Sequence, residues 1–110
     1  MIVEHIKSTT VITQEKLSLA EFVTRLNKEY SAYAKNNIIV NLFSLTSLKG
    51  SDLKEFALIS DQHKQKGNSF VIVTGSVPYD DIPEKITAAP TLQEAHDVIE
   101  MEEIERDLGI

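Results

Sequence analysis

The residue types most able to do chemistry are scattered along this sequence. His5, His63 and His96 lie far apart, and none belongs to an H-x-H or H-E-x-x-H pattern that would place two ligands on one metal. No G-x-S-x-G turn offers a nucleophilic serine, and the absence of cysteine excludes thiolate chemistry and cysteine-ligated metals. The sequence therefore predicts no catalytic residue, no metal and no cofactor.

Two further patterns could bind ions. Asp80 and Asp81 form an acidic pair near Glu84, but the residues around them supply no further oxygen ligands, so a turn before Pro83 is the favoured interpretation. The segment LKGSDL, residues 48–53, has one glycine and lacks the G-K-[ST] of a phosphate-binding loop. Neither pattern predicts a ligand.

Length and composition indicate one globular domain spanning residues 1–110. A chain of 110 residues suits one core, and 42% apolar and 25% charged residues are typical of a soluble protein. The N-terminal MIVEHIK has no signal-peptide pattern, and no apolar run reaches the roughly 18 residues of a membrane span. We expect a cytoplasmic protein that does not bind membranes.

The net charge of −6 comes from the end of the chain. Residues 1–90 hold ten acids and ten bases, whereas residues 91–110 hold seven acids and a single base, Arg106. Because nucleic-acid affinity depends largely on Lys and Arg, this distribution argues against a nucleic-acid partner.

Hydrophobic patterning predicts an α/β fold with a small mixed sheet of about five strands and crossover helices. The predicted order is β-β-α-β-α-β-β-α. Residues 2–7 and 10–13 read as a hairpin, and the capping box at Ser18 opens a helix that should run to about Ala34. Its inner face is expected to hold Leu19, Phe22, Val23, Leu26, Tyr30 and Tyr33.

The middle of the chain predicts a right-handed βαβ unit. A buried strand over residues 38–43 precedes a helix over residues 51–66, which Gly67 ends, and a second buried strand covers residues 70–73. A loop with at most one helical turn near Asp81 then leads to a short edge strand at residues 86–89. Thr91 opens the last helix with a second capping box, T-x-x-E, and this helix should end near Leu108 before Gly109.

That last helix carries two apolar stripes. Leu92, Ala95 and Ile99 share one face, whereas Met101, Ile104 and Leu108 share a face about half a turn away at 100° per residue. Residues 100–110 could therefore form a helical extension. We expect the helix either to bend near residue 100, folding its tail onto the hairpin, or to present the second stripe to a second subunit or a partner.

Ser51 stands at the predicted start of the second helix. As an N-cap its hydroxyl would accept an N–H of the first turn, and its removal would cost about 1 kcal/mol. A phosphoryl group would also be favourable there, because free N–H groups and the helix dipole stabilise anions. The residues alone favour the cap, since serine is common at this position.

The strand, turn and helix in IIVNLFSLTSLKGSDLKEF resemble those of the STAS family of anti-sigma-factor antagonists, whose motif is D-S-S-G-L-G-like. In that alignment Ser51 corresponds to the phosphoacceptor and Leu53 to the leucine, while Lys49 replaces the aspartate and Asp52 the glycine. The run PTLQEAHDVI is similar to the family's T-L-E-E-A helix start, and the resemblance covers residues 37–99. It implies a STAS-like fold and a phosphorylatable serine that controls a protein partner.

The C-terminal run PTLQEAHDVIEMEEIERDLGI also resembles that of short bacterial proteins labelled ribonuclease Z. That activity needs an H-x-H-x-D-H cluster and further ligands to hold two zinc ions that activate water. The sequence contains no such cluster. We therefore expect such a label to reflect transferred naming.

The leading hypothesis is a non-catalytic, STAS-like regulatory module that binds a protein, such as an anti-sigma factor or a kinase. Its expected docking surface consists of Lys49, Gly50, Ser51 and Asp52, with Ser51 as a possible phosphoacceptor. The alternative is a structural homodimer or complex subunit assembled through Met101, Ile104 and Leu108. An enzyme of unrecognised type is favoured only if the structure shows a deep pocket that gathers polar residues such as Asp80, Asp81, His63 and Tyr79.

Overall fold

One mixed sheet organises the chain. The computed structural model describes residues 1–109. The strands are β1 (Ile2–Ile6), β2 (Thr9–Thr13), β3 (Asn37–Asn41), β4 (Phe70–Val73) and β5 (Ala88–Ala89). They are arranged side by side in chain order, with β1 antiparallel to β2 and all other neighbours parallel. The predicted α/β class with a five-stranded mixed sheet is confirmed.

Three α-helices connect and cover the strands. They are α1 (Leu19–Glu29), α2 (Ala57–Gln65) and α3 (Leu92–Asp107), and short 3-10 helices span Tyr30–Ala32, Gly50–Phe56 and Tyr79–Asp81. The capping box of α1 is present: Ser18 Oγ accepts from Glu21 N, and the Glu21 carboxylate accepts from Ser18 N, both at 3.2 Å. At α3, Thr91 Oγ1 accepts from Glu94 N at 3.1 Å, but the described residues show no bond from Thr91 N to the Glu94 carboxylate, so only half of the predicted capping box forms. None of the helices within residues 1–109 is long and apolar enough to cross a bilayer.

The two faces of the sheet have separate cores. Because right-handed crossovers join parallel strands that succeed one another in chain order, α1 and α2 lie on the same face and α3 covers the other. The first core contains Ile12, Phe22, Leu26, Tyr33, Ile38, Val40, Leu42, Leu53, Phe56, Ile59, Phe70, Ile72, Val77 and Ile86. The second contains Val11, Ile39, Val71, Val73, Ala89, Ala95 and Ile99. Alternate residues of β3 and β4 thus enter opposite cores, as buried parallel strands require.

Several element boundaries differ from the sequence-based expectation. The strand expected over residues 38–43 ends at Asn41, because the Asn41 side chain accepts from Phe43 N at 3.0 Å and turns the chain out of the sheet. Phe43 is consequently 62% exposed instead of buried. The first α-helix ends at Glu29 and tightens into a 3-10 turn, and the last strand is reduced to Ala88–Ala89.

The hairpin between β1 and β2 is also shifted by one residue. The turn lies at Lys7 and Ser8, and Lys7 adopts a φ of +54°, which is uncommon for a residue with a side chain. β2 therefore begins at Thr9, one residue earlier than the alternation of apolar residues predicts.

Candidate functional site

The 3-10 helix Gly50–Phe56, which contains most of the predicted docking residues, is not capped by the residue that the sequence suggested. Lys49 occupies the N-cap position of the 3-10 helix, and the Asp52 carboxylate accepts from Lys49 N at 2.8 Å. The prediction that Ser51 is the N-cap is therefore wrong. Asp52 satisfies the backbone N–H of the cap, and Ser51 lies inside the first turn with its side chain exposed.

Gly50 lets two segments approach each other. A Cβ atom at Gly50 would overlap the carbonyl oxygen of Asp81 and lie 2.9 Å from its carbonyl carbon. Only a glycine fits this approach between the 3-10 helix at Gly50–Phe56 and the one at Tyr79–Asp81. The backbone contact thus positions Lys49, Ser51 and Asp52 beside the loop that follows β4.

The loops that follow β3 and β4 meet at the same end of the sheet. Ser76 Oγ donates to the carbonyl of Leu45 at 3.3 Å, and Gly75 is so close to Phe43 that a Cβ atom would lie 3.4 Å from the Phe43 ring. Phe43 is 62% exposed and Tyr79 is 88% exposed. We name this surface the carboxyl edge, and it comprises Phe43, Lys49, Gly50, Ser51, Asp52 and Tyr79.

Two features of the structure bear on ligand binding at the carboxyl edge. Ligand crevices in parallel sheets form where the strand order reverses, and the order here runs from β1 to β5 without reversal. An open groove of about 520 Å³ beside Tyr79 is lined by Asp80 and Glu84 but not by Asp81 or His63. The enzyme hypothesis is favoured only by a deep pocket that gathers polar residues such as these, and this open groove holds Tyr79 and Asp80 alone of the four that were named.

His63 lies away from the carboxyl edge and joins two other segments by hydrogen bonds. Its Nε2–H donates to the carbonyl of Asn36 at 2.7 Å, so its Nδ1 accepts from the Tyr30 hydroxyl at 2.6 Å. Burial is the main cause that lowers the pKa of His63, and the nearby Lys66 cation lowers it further. The ring is fully buried and both nitrogens are bonded, which makes His63 a structural clamp.

Within the described part of the chain, the acidic and histidine side chains are too dispersed for a metal. No group of three His, Cys, Asp or Glu residues among residues 1–109 is close enough to hold an ion. Asp80 and Asp81 belong to the short 3-10 helix after Pro78, as expected for a turn.

The second predicted site lies on the outer face of α3. The helix is unbroken from Leu92 to Asp107, and its second apolar stripe points away from the sheet. Met101 is 65% exposed, Ile104 53% and Leu108 69%. The interpretation in which this stripe folds onto the chain's own hairpin is therefore wrong. Ile110, at the end of the predicted extension, lies outside the described residues.

The inner face of the same two turns makes polar contacts with the amino ends of the strands. Glu103 accepts from Ser8 Oγ at 3.2 Å and from Asn37 Nδ2 at 3.1 Å. Glu102 accepts from Ser69 Oγ at 2.6 Å. Arg106 donates to Ser69 Oγ at 3.2 Å and to Asn37 Oδ1 at 3.4 Å. We call this set the amino-end network.

The sequence contained a signal for this network. Glu102, Glu103 and Arg106 follow Ile99 at intervals of three, four and seven residues, which places them on its face of the helix. The inner stripe therefore continues past Ile99 and changes from apolar to polar. The exposed aromatic residues of the carboxyl edge had no comparable signal, because their exposure depends on how the loops turn.

The two predicted docking surfaces are separate. Residues 49–52 follow the carboxyl ends of the strands, whereas the C-terminal half of α3 contacts Ser8, Asn37 and Ser69 at the amino ends.

Comparison of the chain with protein-family models and with curated proteins finds no match.

Proposed function

We propose that this chain is a cytoplasmic, non-catalytic module of the STAS type that binds and regulates a partner protein through the carboxyl edge. The observation that carries the proposal is that two large aromatic side chains, Phe43 and Tyr79, are exposed on the loops that follow β3 and β4, at the same end of the sheet as the exposed Ser51. Further support comes from the motif resemblance over residues 37–99 and from the succession of elements along the chain.

The exposed aromatic residues fit a docking role. Large exposed aromatic side chains lose contact with water when a partner covers them, and aromatic residues are enriched in protein interfaces. The backbone approach at Gly50 and the hydrogen bond from Ser76 hold the surrounding loops in place. A pre-ordered surface of this kind loses little conformational entropy on binding.

Ser51 is the proposed control point. Its side chain is exposed within the docking surface, so a kinase can reach the hydroxyl. A phosphoryl group would add between about −1.5 and −2 charges to the carboxyl edge. The partner's affinity would then depend on the phosphorylation state, and the resemblance implies that the partner is an anti-sigma factor or a kinase.

Affinity capture from the native host with matched variants tests the docking surface. Phe43→Ser and Tyr79→Ser should each lose a stoichiometric partner that the wild type retains. Leu58→Ser is the control, because Leu58 is 71% exposed on α2 outside the carboxyl edge. Equal recovery by all four proteins, or recovery by none, would contradict the proposal.

Intact mass and a phosphomimetic variant test the switch separately. A single phosphate on protein from the native host, absent from Ser51→Ala, is expected. Ser51→Asp should change recovery of the partner relative to Ser51→Ala. If the partner is captured but neither effect occurs, the docking proposal stands and the switch is rejected.

A second candidate function is that of a complex subunit assembled through α3. The exposure of Met101, Ile104 and Leu108 favours it, since contiguous apolar side chains on a surface often mark interfaces. The partner is either a second copy of this chain or a different protein. A structural subunit needs no metal site. This function would therefore be compatible with a bacterial protein that is labelled ribonuclease Z but lacks the residues for that chemistry.

A further inference from the structure

The outer face of α3 has a regular arrangement of apolar anchors. Met101, Ile104 and Leu108 follow the i, i+3, i+7 spacing by which a helix inserts side chains into an apolar surface of a partner. All three are more than half exposed. At 100° per residue they fall within about 60° of one another, so they form one narrow ridge along the last two turns.

The amino-end network fixes the orientation of this ridge. Rotating α3 to bury Ile104 would withdraw Glu103 and Arg106 from Asn37, whose side chain is 3% exposed. Buried polar groups that lose their partners are costly, so the network opposes the rotation. The helix therefore presents its apolar ridge to solvent as part of the folded structure.

Charge identifies what can cover the ridge. Five exposed acidic residues flank it, on both sides and toward its start: Glu94, Asp97, Glu100, Glu105 and Asp107. Apart from His96, the only basic residue of α3 is Arg106, and it is engaged on the inner face by Ser69 and Asn37. The outer face thus combines apolar anchors with five acidic residues. Lys7, Lys35 and Lys64 line grooves beside Glu100, Asp107 and Glu105, but within residues 1–109 none of them forms an ion pair with these acids.

We propose that the outer face of α3 binds a helical segment of another protein that carries apolar side chains flanked by lysine or arginine. This inference rests on the second candidate function and names the chemistry of its partner. A second copy of this chain would bring acids against acids in either helix orientation, because each side of the ridge is acidic. A basic amphipathic segment instead offers apolar contact and opposite charge together.

Binding of synthetic peptides tests this proposal. The probe is an 18-residue helical peptide of leucine and lysine with leucines at i, i+3, i+4 and i+7, and fluorescence anisotropy reports its Kd. The wild type should bind it, and Ile104→Ser should weaken binding on the order of tenfold. Leu58→Ser is the matched control and should bind like the wild type. Added salt should weaken binding by screening the acidic flanks.

Two control peptides define the binding results that would contradict the proposal. A peptide with glutamate in place of lysine should not bind, and a scrambled leucine–lysine peptide should bind at least about tenfold more weakly. The proposal is overturned by equal binding of the scrambled peptide, by an unchanged Kd for Ile104→Ser, or by no binding up to about 1 mM peptide.

Light scattering decides between this partner and a second copy. The wild type should remain a monomer as its concentration rises. A dimer that Ile104→Asp dissociates would overturn the proposal while preserving the subunit function. Because Phe43, Tyr79 and Ser51 lie outside this face, failure at the carboxyl edge and failure here can be told apart.

Discussion

The two ends of the sheet are held together in different ways. At the carboxyl end, the loops meet through a close backbone approach between Gly50 and Asp81 and through the Ser76 hydroxyl. At the amino end, side chains from α3 reach the start of the strands, where Asn37 and Ser69 are almost fully buried. Close packing of the backbone holds the carboxyl end together, and side-chain hydrogen bonds hold the amino end together.

This difference determines which surface each end leaves exposed. At the carboxyl end the loops turn aromatic side chains outward, so the surface itself is suited to recognition. At the amino end the polar residues of α3 are engaged on the inside, and the apolar residues of the same turns are left on the outside. Each end therefore carries one of the two proposed docking surfaces, with its own structural support.

The largest effect is expected from removing the shape complementarity of the carboxyl end. Gly50→Ala would place a methyl group on the backbone of Asp81, which cannot rotate away, and forced overpacking should cost about 3 kcal/mol of unfolding free energy. Gly75→Ala is the control, because its Cβ would only touch the Phe43 ring. Urea denaturation measures both, and an equal effect of the two substitutions would show that the close approach is not constraining.

The amino-end network should be the next most sensitive feature. Asn37 Oδ1 accepts from the buried Ser69 N at 2.9 Å, so Asn37→Ala leaves that N–H unsatisfied and should cost about 2 kcal/mol. Hydrogen exchange should also accelerate in the last two turns of α3. Asn27→Ala, on the exposed side of α1, should change stability by less than about 0.5 kcal/mol. Unchanged exchange in α3 would mean that the network does not hold the helix.

His63 makes the stability of the fold depend on pH. Its pKa is lowered in the fold, so between that value and the ordinary 6.5 the unfolded chain binds the proton more readily. The stability it contributes is complete above pH 6.5 and decreases as the pH falls through this window, by at most about 1.4 kcal/mol per pH unit. Urea denaturation between pH 7.5 and 5 should show a steeper decrease for the wild type than for His63→Gln. A steeper decrease for the variant would contradict the neutral buried state.

The sequence was most informative where local chemistry decides the structure. The capping box at Ser18 and the cap at Thr91 were predicted because both bonds join residues three apart. The apolar runs of β3 and β4 predicted strands buried on both faces, since only such strands need no alternation of polar residues. These features required no knowledge of the tertiary structure.

Features that depend on distant contacts could not be predicted in the same way. Nothing in the residues around Gly50 indicates that Asp81 approaches it, and nothing around Asn37 indicates that it bonds to Ser69 and Glu103. His63 belongs to no recognisable motif, and its hydrogen bonds join it to Tyr30 and Asn36, which are distant in sequence. The sequence therefore indicated which residues belong to the candidate sites, but their arrangement in space could be seen only in the folded structure.

The smallest expected effect separates the structural role of the first 3-10 turn from its proposed regulatory role. Because Asp52 accepts from Lys49 N, Asp52→Ala should cost about 1 kcal/mol. Ser51→Ala should change the unfolding free energy by less than about 0.5 kcal/mol, since the exposed hydroxyl does not cap the helix. Thermal and urea denaturation of the two variants measure the difference. A loss of about 1 kcal/mol in Ser51→Ala would restore a capping role for the serine, whereas an unaffected fold leaves Ser51 free to change charge without loss of structure.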